Sequence, residues 1–586
     1  VSGVRRVEFV HDRVREIVLE SLAPEALRAW SLRWLDVLPV DEAPDLRAPL
    51  LDAVGRRDEA IDALLAAARA AAENLAFVRA ERLAVEALDR LSPVDARRLD
   101  ALCARAQALM HQGLAAAAGA AFREAASAAR ARAPERAVDL SRESAEHYLR
   151  AGRIDAGLDA LRDVLGPLGL SMPGSTAAAL AELVARHVTR PWRTRAKAAP
   201  HERAALVARL DACAAVSIGL AAVDQRAAVF QARALDLAMR VDDLPRLQRA
   251  LSFEACYMAN GGHRTEARTA PLVAAARAAA GRVATPEAEG YARGAEALFA
   301  FHRGRWRRCA EHARISASIF RAAGHRYWKE EVTQGTYAAL ATLLAGDLLD
   351  GAAMALELLG RADARGDLYG GTNLRTGLFA AIPLLDDDVA RARDDLRLAT
   401  SWWRGDGFIV QHFFLSLARA NLALYEGDAD AALAEVDAVR ARLRANLLSR
   451  AEWVRVALAA VEARAAFASS RRGGGWPSPG LRARVEAVRR TLRATPAGWA
   501  LAHHAMFAAL AARSAGDVGL AARLLVSAEA AYTAADMAVD ALCARRARAV
   551  LEGGARGLAS RDDVDGALAQ RGVRAPERFA RLYVPT

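Results

Sequence analysis

The sequence predicts an all-α chain, built as an α-solenoid of about ten or eleven helical hairpins. Three observations carry that prediction. Hydrophobic residues make up 53% of the chain but aromatics only 6%, so alanine supplies much of the apolar character. Alanine is the strongest helix former and lets helices pack closely. No series of alternating β-branched strands lies between turn signals. Finally, a glycine-ended hairpin recurs along the chain, and repetition is how 586 residues grow beyond one ordinary compact domain.

The hairpin is clearest in "YLRAGRIDAGLDALRDVL", Tyr148 to Leu165. A helix closes at Gly152, the chain turns, and a second amphipathic helix begins. The unit is a glycine, a small residue five positions later, and small or apolar residues nine and twelve positions after the glycine. Gly55 is followed by Ala60, Leu64 and Ala67, and Gly113 by Ala118, Phe122 and Ala125. Gly262, Gly304, Gly346, Gly427 and Gly516 bring Ala267, Cys309, Gly351, Ala432 and Ala521 to the fifth position. Another copy places Asp387 in the glycine slot, followed by Ala392, Leu396 and Ala399. Glycine accepts the left-handed conformation that ends a helix. The small residue lets the second helix approach the first, and the later two continue its buried stripe.

These offsets resemble the tetratricopeptide repeat (TPR), and the resemblance implies a TPR-like right-handed superhelix. From Gly262 through Gly304, Gly346, Asp387 and Gly427 the steps are 42, 42, 41 and 40 residues, longer than the usual 34. The closing proline is mostly missing, so longer helices are expected. In such a solenoid each hairpin contacts only its neighbours, and a ligand bridging several changes the pitch.

Two interruptions set the expected boundaries. "GLSMPGSTAA" and "TRPWRTRAKAAPHER" bracket a linker helix region at 171–203, between a first sub-solenoid at 39–170 and a second at 204–468. "SSRRGGGWPSPG", at 469–480, reads as a flexible surface loop. The C-terminal hairpins and a capping helix then occupy 481–586.

Composition and motifs exclude several function classes. The net charge is +11, yet the chain has two lysines, Lys197 and Lys329, and arginine supplies the rest. Basic residues alternate with acids, as in Glu81, Arg82, Glu86, Asp89 and Arg90, which is the pattern of a solvated helix face. In "RGRWRRC", Trp306 takes the position that packs the hairpin turn, and the arginines flank it as an exposed helix start. The C-terminus shows no helix-turn-helix, so no specific nucleic acid is expected. Cys103, Cys213, Cys256, Cys309 and Cys543 are scattered, which suits reduced thiols in the cytoplasm. The first residues do not read as a signal peptide, and the longest apolar run, around Cys213 to Val223, is too short to span a bilayer. A cytoplasmic protein without a membrane partner is the expectation.

The pattern G-x-x-x-x-G-K-[ST] is absent, and neither "RTRAKAAP" nor "HRYWKEEV" puts its lysine after a glycine-rich turn. The V-A-I-K, H-R-D and D-F-G signatures of kinases are absent too. No H-E-x-x-H occurs, and the adjacent His503 and His504 point along different directions of a helix. Asp386, Asp387 and Asp388 precede a helix, where capping and the helix dipole explain them better than a cation. No G-x-S-x-G elbow is present. No catalytic residue, metal site or cofactor is expected.

The candidate binding groove runs from Gly366 to Tyr425. Asn373 and Arg375 are read as opening one inner helix, and Gln411 and His412 the next, so that the four converge on the concave face. Tyr369, Trp402 and Trp403 stand nearby. Aromatic walls with arginine suit an anionic peptide tail or a small anion. The alternative is that these aromatics pack the core or the turns while the polar groups satisfy inter-repeat turns.

"VEFVHDRVREIVLESLAPEALRAWSLRWLDVL", Val7 to Leu38, resembles the end of the winged-helix segment in signal-transduction AAA+ (STAND) ATPases. Phe9, His11, Asp12, Arg13, Val14, Arg15 and Glu16 match the phrase F-x-H-D-R-[VL]-R-E that there precedes the repeats. "AGRIDAGLDALRDVLGPLGLSMP", "GDLYGGTNLRTG" and the tail "QRGVRAPERFARLYVP" are similar to the repeat region of large bacterial serine/threonine kinase–ATPase sensor proteins, known especially from myxobacteria. The resemblance covers essentially the whole chain, and the family's kinase and nucleotide-binding residues have no counterpart in it. It implies that 1–38 is a winged-helix remnant with linker helices, and that Val1 is either a fragment boundary or the start of a stand-alone descendant. It further implies a non-catalytic sensor or scaffold that regulates a kinase/STAND ATPase module. Its partner would be a protein or peptide, including kinase or ATPase domains in cis or in trans, or a small-molecule ligand. Two alternatives stand beside it: the repeat part of a STAND-type transcriptional regulator whose DNA-binding module lies elsewhere, and an unrecognised enzyme.

Overall fold

The computed structural model describes residues 21–38, 44–189, 198–221, 226–324, 327–402, 408–444, 447–470 and 478–585. Among the described residues all regular structure is helical, with no β-strand. The fold is an α-solenoid of helical hairpins. The chain divides into two compact units, Val1–Tyr148 and Leu149–Thr586. The phrase "FVHDRVRE", Trp403 and most of the 469–480 loop lie outside the described residues.

The first unit holds α1 (Pro24–Val37), α2 (Pro44–Ala53), α3 (Arg57–Glu73), α4 (Phe77–Arg90), α5 (Arg98–His111), α6 (Ala115–Ala129) and most of α7 (Pro134–Arg150). From α1 to α6 each helix packs on the next. Gly55 and Gly113 take φ of 81° and 78° at their turns. Ala60, Leu64, Ala67, Ala118, Phe122 and Ala125 are all buried, as the repeat spacing requires. Leu75 also adopts a left-handed φ of 59°, and Ala80, Ala84 and Ala87 are buried at the matching offsets. This copy is invisible to a search for glycine, because leucine occupies the strained slot.

The second unit begins with α8 (Ile154–Leu165), α9 (Thr176–Thr189), α10 (Arg203–Leu220), α11 (Ala227–Ala238), α12 (Leu244–Ala259) and α13 (Glu266–Val283). Next come α14 (Pro286–Phe301), α15 (Trp306–Ala322), α16 (Trp328–Ala345), α17 (Leu348–Ala364), α18 (Leu368–Asn373) and α19 (Ile382–Leu385). These are followed by α20 (Val389–Trp402), α21 (Val410–Glu426), α22 (Ala429–Leu443), α23 (Glu452–Ser470) and α24 (Pro479–Arg493). The unit ends with α25 (Gly498–Ser514), α26 (Val518–Ala534), α27 (Ala538–Glu552), α28 (Gly554–Ala569) and α29 (Pro576–Ala580).

The repeat register holds at Cys309, Gly351, Ala392, Ala432 and Ala521, all buried. Asp387 takes the left-handed conformation, φ 61°, expected of the glycine slot. At Gly262 the register differs. Residues Gly262–Thr265 form a 3-10 turn before α13, so Ala267 is exposed and Thr269, Leu272 and Ala276 face inward. The helix near Asn373 differs as well. Rather than opening a helix, Asn373 ends the six-residue α18 and Arg375 lies beyond it. Gly370 and Gly371, poor helix formers, lie within this short helix, and Gly377 takes a left-handed φ of 60° beyond its end.

The expectation that hairpins touch only their neighbours is overturned in the second unit, which coils back on itself. The backbone N–H of Glu452 donates to the Asn260 carbonyl oxygen at 3.2 Å. The N–H of His263 donates to Glu452 Oε2 at 3.2 Å, across 189 residues. Trp306 and Trp499 meet edge to face at 5.8 Å. The Arg578 guanidinium reaches Asp387 Oδ1 at 2.5 Å, across 191 residues, and the Arg574 N–H donates to the Leu385 carbonyl oxygen at 2.7 Å. Contacts recur at nearly constant separation because the hairpins have nearly constant length. One turn of the spiral therefore lies on the next, and a single hydrophobic core runs from α14 to α29 across that seam. At the seam the turn glycines also serve as contacts. A Cβ on Gly304 would lie 2.7 Å from Trp499 Cδ1, and one on Gly346 would lie 2.7 Å from Ala538 Cβ.

Candidate functional site

The coil of the second unit surrounds a cavity of about 720 Å³. The inner helices α12, α14, α16 and α18 form most of its wall, with α10, α21 and α23 contributing. Each presents its buried stripe there for the reason it is an inner helix: its other faces are taken by its own hairpin partner and by the hairpins on either side. Phe253, Tyr257, Tyr291, Phe301, Tyr337 and Trp453 make the wall strongly aromatic. Tyr291 packs against Phe253 and Phe320 at 5.5 and 5.0 Å. The Tyr257 hydroxyl donates to the Ser217 carbonyl oxygen at 2.7 Å. Burial raises the Tyr257 and Tyr337 phenols above their ordinary range, and pushes Tyr369 up to about 12.

Among the polar side chains on this wall, Glu330, Gln334 and His302 stand out. Glu330 and Gln334 lie one turn apart on α16, and His302 caps the end of α14. They are 8%, 9% and 7% exposed. The Tyr291 hydroxyl donates to Glu330 Oε1 at 3.3 Å. Glu330 Oε2, Gln334 Oε1 and both ring nitrogens of His302 are buried without a hydrogen-bond partner. Burial alone pushes the His302 imidazole down to about 4, so it is neutral at physiological pH. Gln334 lies so close to Gly294 that a Cβ there would sit 2.7 Å from its Nε2. Lys329 also faces the cavity, with its Nζ donating to the Ile218 carbonyl oxygen at 2.8 Å and lying 6.0 Å from the Tyr369 ring centre.

Of the groove residues expected from the sequence, Tyr369 and Asn373 line this cavity. Gln411 stands behind them, buried, with its Nε2 donating to Asn373 Oδ1 at 3.3 Å. The Ile409 N–H donates to His412 Nδ1 at 3.2 Å and the His412 ring stacks on Phe408, so His412 covers the start of α21. Arg375 points away from the cavity. Its guanidinium pairs with Asp363 at 2.6 Å and Asp395 at 3.1 Å, on α17 and α20. The four polar groups therefore do not converge. The end of α18 at Asn373 turns Arg375 toward the outer helices, where two carboxylates neutralise its buried charge. The side chain of Trp402, like Trp403, lies outside the described residues.

Glu330, Gln334 and His302 were not singled out in the sequence, although a signal existed. "WKEEVTQGTY" sets an acid and an amide four residues apart on the face of α16 that continues into Tyr337 and Leu340. Elsewhere, Asp388 caps α20 by accepting from the Arg391 N–H at 2.9 Å, and Asp387 accepts from the Tyr425 hydroxyl at 2.6 Å. Trp306 is fully buried, and Arg303, expected at an exposed helix start, is buried beside Phe299. Among the described residues no group of three or more His, Cys, Asp or Glu is placed to hold a metal ion, and no helix is long and apolar enough to cross a membrane.

No family model matches the chain, and no curated protein matches it. Among solved structures it is similar to the APC/C hetero-tetramer Cut9–Hcn1, at 12% identity and a TM-score of 0.40 over 94% of each chain. It is also similar to Ypp1, at 8% identity and a TM-score of 0.28, over 97% of this chain and 95% of that one. A circular tandem repeat protein with novel repeat topology and enhanced subunit contact surfaces matches at 12% identity and a TM-score of 0.13, over 95% and 99%. At these identities and scores, no activity or partner is transferred to this chain.

Proposed function

We propose that this chain is a non-catalytic helical-repeat sensor that holds a small ligand in the cavity of its second unit and reports occupancy to a signalling module. The observation that carries this reading is the set of unpartnered polar atoms on Glu330, Gln334 and His302. Each such buried atom costs about 1–3 kcal/mol when left unsatisfied, and a bound ligand relieves that cost. The route for a signal is the seam. Trp453 lines the cavity and is adjacent in sequence to Glu452, which bonds across the seam to His263. His302 lines the cavity two residues before Gly304, which faces Trp499. A ligand that moves either wall biases how the two turns of the coil meet.

The finer reading is that the module is a serine/threonine kinase joined to a STAND ATPase, in cis or in trans. Its support is the resemblance of "FVHDRVRE" and "GDLYGGTNLR" to that family. The test is a metabolite screen by thermal shift on the 586-residue chain, followed by hydrogen exchange with the best stabiliser. The expected result is protection of α14 and α16 together with the seam at Glu452 and Trp499, without ATP hydrolysis. Stabilisation that survives Gln334→Ala and leaves the seam unprotected would overturn the sensor reading. Addition of the stabiliser to a kinase–ATPase module bearing these repeats should change autophosphorylation; an unchanged rate removes the finer reading.

A further inference from the structure

We infer that the cavity is built for an organic ammonium, an amine bearing N–H donors on an aromatic or aliphatic body, held by Glu330 and Gln334. This deepens the proposed function and rests on the cavity being a ligand site. The argument begins with two neighbouring carboxylates on α16. Glu331 is buried, and the chain neutralises it with Arg321 at 2.7 Å and Arg361 at 2.6 Å. Glu330 is equally buried but has no ion-pair partner among the described residues; its one hydrogen bond comes from the Tyr291 hydroxyl. A buried carboxylate without a counter-charge is strongly disfavoured. A cation arriving with the ligand supplies that charge in the same way that the two arginines supply it to Glu331.

The chemistry of the head group follows from the acceptors. Glu330 Oε2 and Gln334 Oε1 are both unpartnered and lie on one helix face, where side chains four apart stand about 6 Å from one another. Two acceptors so placed call for a group with at least two N–H donors, which a primary or secondary ammonium has and a carboxylate or phosphate lacks. The rings of Tyr337 and Tyr257 offer negative π faces to the same cation, whereas the Arg249 guanidinium already stands 5.4 Å from the Tyr291 ring centre and 5.9 Å from that of Phe253. Lys329, the neighbour of Glu330 in sequence, is engaged by the Ile218 carbonyl oxygen at 2.8 Å and lies 6.0 Å from the Tyr369 ring centre. His302 is neutral and adds no opposing charge. The volume of about 720 Å³ falls within the range that encloses a metabolite-sized body.

The experiment is calorimetric titration of the 586-residue chain at neutral pH with three probes of one shape: phenethylamine, 2-phenylethanol and phenylacetate. The amine is expected to bind at least about tenfold more tightly than the alcohol, with phenylacetate weakest. Glu330→Gln keeps the shape and removes the charge, and should cost the amine at least about tenfold while leaving the alcohol unchanged. Tyr291→Phe, which leaves the carboxylate in place, should retain the preference for the amine. Thr333→Trp fills the cavity and should abolish binding of all three, with helicity checked by circular dichroism. If the probes bind equally, or Glu330→Gln does not change the amine, and Thr333→Trp still abolishes binding, the ammonium inference fails while the cavity remains a ligand site. If no probe binds, or binding is indifferent to Thr333→Trp, both fall.

Discussion

Gly55 in the first unit and Gly346 in the second occupy the same position of the same repeat, with φ of 81° and 94°. Their surroundings differ. A Cβ on Gly55 would meet nothing within 4 Å, whereas one on Gly346 would strike Ala538 and the Val539 backbone. In the first unit the turn glycine ends a helix. In the second it ends a helix and also admits the next turn of the coil. Identical local chemistry thus performs one task in one unit and two in the other, and the second task depends on residues about 190 positions away, as at His263 and Glu452.

Breaking the seam is the strongest challenge to this comparison. Trp499 is buried against Trp306, and Trp499→Ala should destabilise the second unit by about 3–5 kcal/mol. Hydrogen exchange should place the loss in α14–α17 and α25–α28 and leave α3–α6 protected; equal loss in both units would show that the seam is not specific to the second. Acid comes next. Because the folded-state pKa of His302, about 4, lies below its unfolded value, the folded state binds fewer protons between about 6.5 and 4. Its contribution is full above about 6.5 and disappears as pH falls to about 4, a loss of about 3 kcal/mol. Asp540, pushed up to about 6 by burial, has the opposite sign, its contribution fading as pH rises through 6. The difference between parent and His302→Phe in urea melts against pH isolates the histidine, and identical profiles would show that its burial has no linkage.

Gly346→Ala should cost about 2–3 kcal/mol, combining the left-handed penalty with overpacking against Ala538, while Gly55→Ala should cost about 1 kcal/mol. That difference, read from urea melts followed by exchange, measures the seam directly. Arg375→Ala should remove about 2 kcal/mol, because Asp363 and Asp395 are partly solvated and screen the loss. It should leave phenethylamine affinity unchanged; a loss of affinity would return Arg375 to the binding site. The smallest effect expected is from Asp388→Ala, about 1 kcal/mol for a lost cap, seen as faster exchange in the first turn of α20.

Parts of the site were legible for a definite reason. Asn373 was found because an inner-helix position forty residues from its equivalents must face the concavity, whatever the details of the helix, and Tyr369 was read as standing nearby. Arg375 was misplaced because its expected position needed a helix running on through it, and α18 ends at Asn373. Glu330 escaped notice because an acid beside another acid in "KEE" reads as solvated surface. Only the packing reveals that one carboxylate is paired with arginines and the other faces a cavity.

What the sequence determined by itself was local: helical hairpins, their turn glycines, their length and the face each helix buries. Those features depend on backbone conformation and on residues three and four apart, so they are written in adjacent letters. The tertiary structure decided where those faces lead. A small rotation per hairpin, accumulated over several repeats, fixes which turns meet and what space they enclose. The seam between Gly346 and Ala538, and the cavity holding Glu330, exist only once that sum has been taken.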